Sequence, residues 1–231
     1  MSLFAIADTH LSLSADKPMD IFNGWSDYVQ RLQKNWRAVV TDGDTVVIPG
    51  DVSWAMSLEG AEKDFAFLES LPGRKILMKG NHDYWWNTAR KMENFFREKG
   101  FETIDIVHNS AKLVGNISVC GTRGWFFDAE EDADKKVLLR EAGRLRTSIE
   151  KGILLGGEPV VFLHYPPITQ DRICPEIYDV LVGYKIKRCF YGHLHSFATK
   201  CAFEGERDGI NFSLISGDYL EFLPKLIEKQ P

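Results

Sequence analysis

Five segments of the chain carry side chains able to hold a metal ion or contact a phosphate: Asp8-Thr9-His10, Gly50-Asp51, Gly80-Asn81-His82-Asp83, His164 and Gly192-His193-Leu194-His195. Imidazole nitrogen and carboxylate oxygen together suit divalent Zn, Mn, Fe or Co, with no need for thiolate. A carboxylate such as Asp51 has two oxygens and can join two ions. A pair of ions held about 3.5 to 4 Å apart acidifies a shared water to hydroxide and offsets the charge that builds on a phosphoryl group during in-line displacement. A lone histidine at the end of a strand is commonly structural, but five of the six histidines fall in these segments, and a set of that density points to a metal centre. The sixth, His108, matches no such pattern and reads as a loop residue.

Residues so remote in sequence can act together only if the fold gathers them. Each segment follows a short apolar run, at residues 3–7, 46–48, 76–78, 160–163 and 189–191, and such runs read as buried strands. Open α/β sheets place their ligand sites beyond the carboxyl ends of strands, where these residues would converge. Between the runs the spacing is helical: Tyr28, Leu32, Trp36 and Val39, then Leu58, Ala61, Phe65 and Leu68, then Trp85, Ala89, Met92 and Phe96. The first half therefore reads βαβαβα. A fourth helix is expected over 134–151, where Leu138, Ala142, Leu145 and Ile149 form a stripe among charged residues. Residues 101–124 predict a hairpin or meander punctuated by Asn109, Gly115 and Gly121, and 203–216 are similar in texture. The fold class is thus mixed α/β with antiparallel pieces late in the chain. With no repeat or linker-like tract, one domain over 1–231 is expected. The tail over 217–231 is expected either to cover the core or to form a contact.

In order, these segments resemble the calcineurin-like metallophosphoesterase family, whose pattern runs D-x-H, G-D, G-N-H-[DE], H, G-H-x-H. The resemblance spans Asp8 to His195. One G-D pair carries little weight, whereas G-N-H-D and G-H-L-H in order, with D-T-H upstream, are specific. It implies a β-sandwich of mixed sheets flanked by helices and two divalent metal ions, Mn, Fe or Zn. By the same resemblance Asp8, His10 and His195 would hold the first ion, Asn81, His164 and His193 the second, and Asp51 would bridge them. His82 would contact the phosphate and protonate the leaving oxygen, with Asp83 orienting that imidazole through its other ring nitrogen. The implied activity is hydrolysis of a small phosphodiester or phosphomonoester by metal-bound hydroxide. One element departs from the pattern. Where many members read G-D-x-x-D, and phosphoprotein phosphatases add an Arg that clamps phosphate, this chain reads Gly50-Asp51-Val52-Ser53-Trp54. That departure argues against the phosphoprotein phosphatase branch. Arg123, in Gly121-Thr122-Arg123-Gly124-Trp125, is a candidate substitute from another loop. Tyr84, Trp85 and Trp86 follow the G-N-H-D, and one is expected in the core and another in the pocket; Trp25, Trp54 and Trp125 are further wall candidates.

Bulk properties narrow the alternatives. A net charge of −5 disfavours a surface that holds long nucleic acid, and hence nuclease action on polymeric DNA. The N-terminus shows no basic leader, no run approaches the roughly 18 apolar residues of a membrane span, and the four cysteines show no C-x-x-C spacing. A cytoplasmic protein with reduced thiols is expected. Glu130-Glu131-Asp132 reads as a solvated helix start. The competing function is a non-catalytic scaffold of the same fold that binds protein partners; the full set of candidate ligands argues against it.

Overall fold

A computed structural model describes residues 1–125 and 132–229. Its strands are β1 (Ser2–Ala5), β2 (Thr45–Pro49), β3 (Arg74–Met78), β4 (Ile104–Ile106), β5 (Lys112–Val114), β6 (Ile117–Thr122), β7 (Glu158–Leu163), β8 (Arg188–Tyr191), β9 (Gly205–Arg207), β10 (Ile210–Leu214) and β11 (Lys225–Lys229). The helices are α1 (Tyr28–Val39), α2 (Glu62–Glu69), α3 (Ala89–Lys99), α4 (Asp132–Leu154) and α5 (Pro175–Gly183). They build two mixed sheets, ordered β11-β1-β2-β3-β4 and β5-β6-β7-β8-β10-β9. In the first, β1 to β4 are parallel and β11 pairs antiparallel with β1; in the second, β6, β7, β8 and β10 are parallel between antiparallel edges.

The continuous apolar runs have a direct physical cause: most central strands are buried on both faces. Phe4, Val46 and Ile48 turn toward α1 to α3, with Trp36, Phe65 and Phe96. Their neighbours Leu3, Ala5 and Val47 turn the other way, against Val160, Phe162 and Phe190 of the second sheet. Val161 and Leu163 then meet Leu145, Ile149 and Leu181 of α4 and α5. The layers are helix, sheet, sheet, helix.

Helix ends follow local chemistry. The Thr88 side chain accepts from the Lys91 amide at the start of α3, and Gly100 ends it at φ 72°, a left-handed conformation that glycine adopts without a side-chain clash. Two expectations need correction. Trp85 precedes α3 rather than joining it, because its indole is held by Asp83. β4 pairs parallel with β3, so only β5 and β6 form the hairpin predicted over 101–124. The tail covers the core: Phe222 is fully buried and β11 extends the first sheet. Of the acidic helix start, Asp132 opens α4, whereas Glu130 and Glu131 lie outside the described residues.

Candidate metal centre

The strand ends bring the sequence-remote segments together. Four candidate ligands take left-handed backbone conformations, Asp8 at φ 59°, His10 at 43°, Asp51 at 49° and His193 at 71°. Aspartate and histidine tolerate that region better than most residues, and strain of this kind clusters at functional sites. Glycine is needed at two of the turns. A Cβ on Gly80 would collide with the amide and carboxylate of Asp51, and one on Gly192 with the carboxylate of Asp8.

Two groups of ligand atoms result, each within 4.8 Å of one another: Asp8, His10 and His195, and Asp8, Asp51 and His164. Nε2 of His10 and Nε2 of His195 face each other at 3.4 Å. Asp8 belongs to both groups, and Asp51 Oδ2, of the second, lies 3.5 Å from His164 Nε2 and reaches to 3.7 Å from His10 Nε2 of the first, while its Oδ1 accepts from the His82 amide at 2.8 Å. Asn81 Oδ1 is 2.6 Å and His193 Nδ1 3.2 Å from the same His164 Nε2. All seven residues expected to bind metal therefore line one site.

The residues fit divalent cations on three counts. Asp8 Oδ1 and His164 Nδ1 are buried with no hydrogen-bond partner, an arrangement that costs about 1–3 kcal/mol per group unless something compensates it. Burial holds His10 at a pKa of about 3 and His193 at about 4, which keeps both imidazoles in the neutral form that binds metal. Burial, then the carboxylates of Asp83 and Asp8, pushes Asp51 up to about 9. Burial also disfavours a charged His195, but Asp8 and Asp218 outweigh it and lift that residue to about 10. The contributions of Asp83 and Asp8 to Asp51, and of Asp8 and Asp218 to His195, mark buried negative charge in the site, for which a divalent ion is a matching counter-charge.

Asp218 was not singled out from the sequence. Its Oδ1 lies 2.7 Å from His195 Nδ1 and its Oδ2 accepts from the Ser196 amide at 3.0 Å. Such carboxylates fix the tautomer of a metal-binding histidine and raise its basicity. The available signal was Gly217-Asp218, a further G-D pair just past the mostly apolar run 212–215.

The expected bond between Asp83 and His82 is replaced by a different role. Asp83 accepts from the amides of Asp51, Val52 and Gly80 at 2.7 to 2.9 Å, from Ser53 at 3.3 Å and from Trp85 Nε1 at 2.9 Å. Those donors saturate its oxygens, and it staples together the loops that carry Asp51 and Asn81. His82 Nδ1 has no partner among the described residues. Its ring packs instead on Trp54, 4.3 Å between centroids, and Trp54 stacks on His10 at 4.9 Å. Burial, then the Lys17 ammonium, shifts His82 toward its neutral form.

His82 opens on a cleft of about 630 Å³ whose walls include Lys17, Trp54, Met56 and Tyr84. The aromatic expectations sort accordingly. Tyr84 is exposed in this cleft and Trp85 is core. Trp86 donates to His108 Nδ1 at 3.1 Å, so that histidine has a partner although it matched no motif. Trp25 meets the rings of His10 and His195 edge-on, and Trp125 lies under the Arg123 guanidinium.

Comparison with known proteins bears on the family and the fold. A family model described as calcineurin-like phosphoesterase matches residues 1–197. An uncharacterized protein of Methanocaldococcus jannaschii is 31% identical over 96 residues; the match spans 39% of this chain and about half, 52%, of that relative. Among solved structures, a protein of unknown function from Aquifex aeolicus superposes with TM-score 0.54 at 16% identity, covering 97% of this chain and 95% of its own. The phosphopantetheinyl hydrolase of Mycobacterium tuberculosis gives TM-score 0.55 at 14% identity, covering 100% and 96%. At such identities the structural likeness establishes the fold alone.

Proposed function

Because the chain belongs to the calcineurin-like phosphoesterases, we propose that it is a single-domain hydrolase of small phosphodiesters or phosphomonoesters that works with two divalent ions, Mn, Fe or Zn. The observation that carries the reading is Asp51 Oδ2 standing 3.7 Å from His10 Nε2 and 3.5 Å from His164 Nε2, within reach of one nitrogen from each expected ligand set. Asp8, His10 and His195 would hold one ion, Asn81, His164 and His193 the other, with Asp51 shared. When bound, such a pair supplies Lewis acidity that activates water and offsets phosphoryl charge. The protein's own contributions are distinct. The Asp83 staple fixes the separation of the Asp51 and Asn81 loops, and Asp218 holds the His195 ring. His82, its ring tilted against Trp54, faces the cleft, where its imidazole can contact the phosphate and return a proton to the leaving oxygen. The cleft beside it takes the departing alcohol.

A small or end-exposed substrate is favoured, and the net charge of −5 weighs against long nucleic acid. No helix among the described residues is long and apolar enough to cross a membrane. The reading separates from a non-catalytic scaffold by one comparison. His193→Ala with His195→Ala should abolish both uptake of Mn²⁺, measured by elemental analysis after dialysis, and turnover. A protein that still takes up two ions, or whose activity survives, is not the enzyme described.

A further inference from the structure

The row of strand ends continues past the ligand set. Side by side in the first sheet lie β1, β2 and β3, and in the second β8, β7 and β6. Asp8 and His10 follow β1, with His193 and His195 following β8; Asp51 follows β2, with His164 following β7. The next pair of strand ends, β3 and β6, carries Asn81 of that set and, beyond it, Lys79 and Arg123. Together with Arg144 of α4 these side chains line a small cleft, walled also by His108, Thr122 and Glu141.

Charge in this cleft is unbalanced. Among the described residues Glu141 is its one carboxylate, buried and engaged by Thr122 Oγ1 and Arg144 Nη1 at 2.5 Å. Arg123 Nη2 stays 3.8 Å from Glu141, beyond hydrogen-bond reach, and Arg123 Nε is buried with no partner among the described residues. The guanidinium is held 4.5 Å over the Trp125 ring, which fixes its plane without using its N–H groups. A flat fork with donors to spare, flanked by two further cations, is suited to a phosphate or other planar-faced oxyanion. The cleft also connects with the ligand set. The Tyr165 amide donates to Arg123 O at 2.8 Å, while the Tyr165 ring lies 4.4 Å from that of His193.

We propose that Lys79, Arg123 and Arg144 bind a second phosphoryl group of the substrate, so that esters carrying two phosphates are preferred over those carrying one. The proposal rests on the phosphoesterase reading for its kinetic consequence but not for the binding site itself. It also gives Arg123 a task other than replacing the clamp on the reacting phosphate.

Calorimetric titration of metal-stripped protein with inorganic phosphate isolates the cleft from the ion site. Saturable binding is expected, weakened at least about tenfold in both Arg123→Gln and Lys79→Gln by loss of a charge-assisted bond. Equal binding in all three proteins, or none in the wild type, overturns the assignment. With Mn²⁺ restored, kcat/KM for a nucleoside 3′,5′-bisphosphate should exceed that for the 5′-monophosphate, and Arg123→Gln should bring the ratio toward one. Turnover without that preference overturns the subsite and leaves the phosphoesterase reading standing. Phosphate binding that depends on Arg123, with no turnover of either ester, does the reverse.

Discussion

Asp218 shows how much of a metal site depends on residues that would never touch the metal. By holding Nδ1 of His195 it leaves Nε2 as the ligand nitrogen and aims it at Asp8 and His10. Asp218→Ala should lower affinity for Mn²⁺ by about 10- to 100-fold, measured by competition with a chelator, while folding is retained. Unchanged affinity would show that the His195 ring is positioned by packing, against Trp25 for example. The seven candidate ligands were legible in the sequence because their types and order suffice to mark them. Asp218 and the role of Asp83 were not, for a physical reason. A side chain that acts through hydrogen bonds to other loops has no fixed spacing from its partners, and Asp83 reaches amides some thirty positions away.

At the scale of elements, buried carboxylates tie strand to helix at the end of the molecule away from the site. Asp44, just before β2, is buried and accepts from the Ser2 amide at 2.6 Å and from the Thr41 amide and hydroxyl at 2.8 and 2.7 Å. Burial alone would raise its pKa, but these bonds outweigh it and hold the carboxyl below its ordinary value. A group depressed in the folded state stabilises above its unfolded pKa and loses that contribution as pH falls through the folded one. The stability gap between wild type and Asp44→Asn in urea should therefore be full near neutrality and narrow below about pH 4. A gap that stays constant down to pH 2 would remove this carboxylate from the account. Helices and central strands were legible at this scale because burial imposes a period on the sequence, as with Tyr28, Leu32 and Trp36 on α1. The partners of short strands were not, since β4 is three residues long and its pairing is decided by what lies beside it.

Across the whole molecule, the two sheets meet over an apolar seam and offer their strand ends on one rim, where ligands from the first and second halves of the chain complete one another. Neither half holds a complete set. The order of motifs predicted that convergence, whereas the Lys79 and Arg123 cleft emerges only once strand order sets β3 opposite β6. The claim on which the rest depends is that this rim hydrolyses phosphate esters with the help of divalent ions. Its most direct test is hydrolysis of matched aryl phosphodiester and phosphomonoester substrates by stripped protein, before and after adding Mn²⁺, with His82→Ala alongside. The account predicts turnover that appears with the ion and falls by about 10² to 10⁴ in His82→Ala. Failure of Mn²⁺, Fe²⁺ and Zn²⁺ alike to restore hydrolysis of either ester, or equal turnover by the stripped protein, would contradict it.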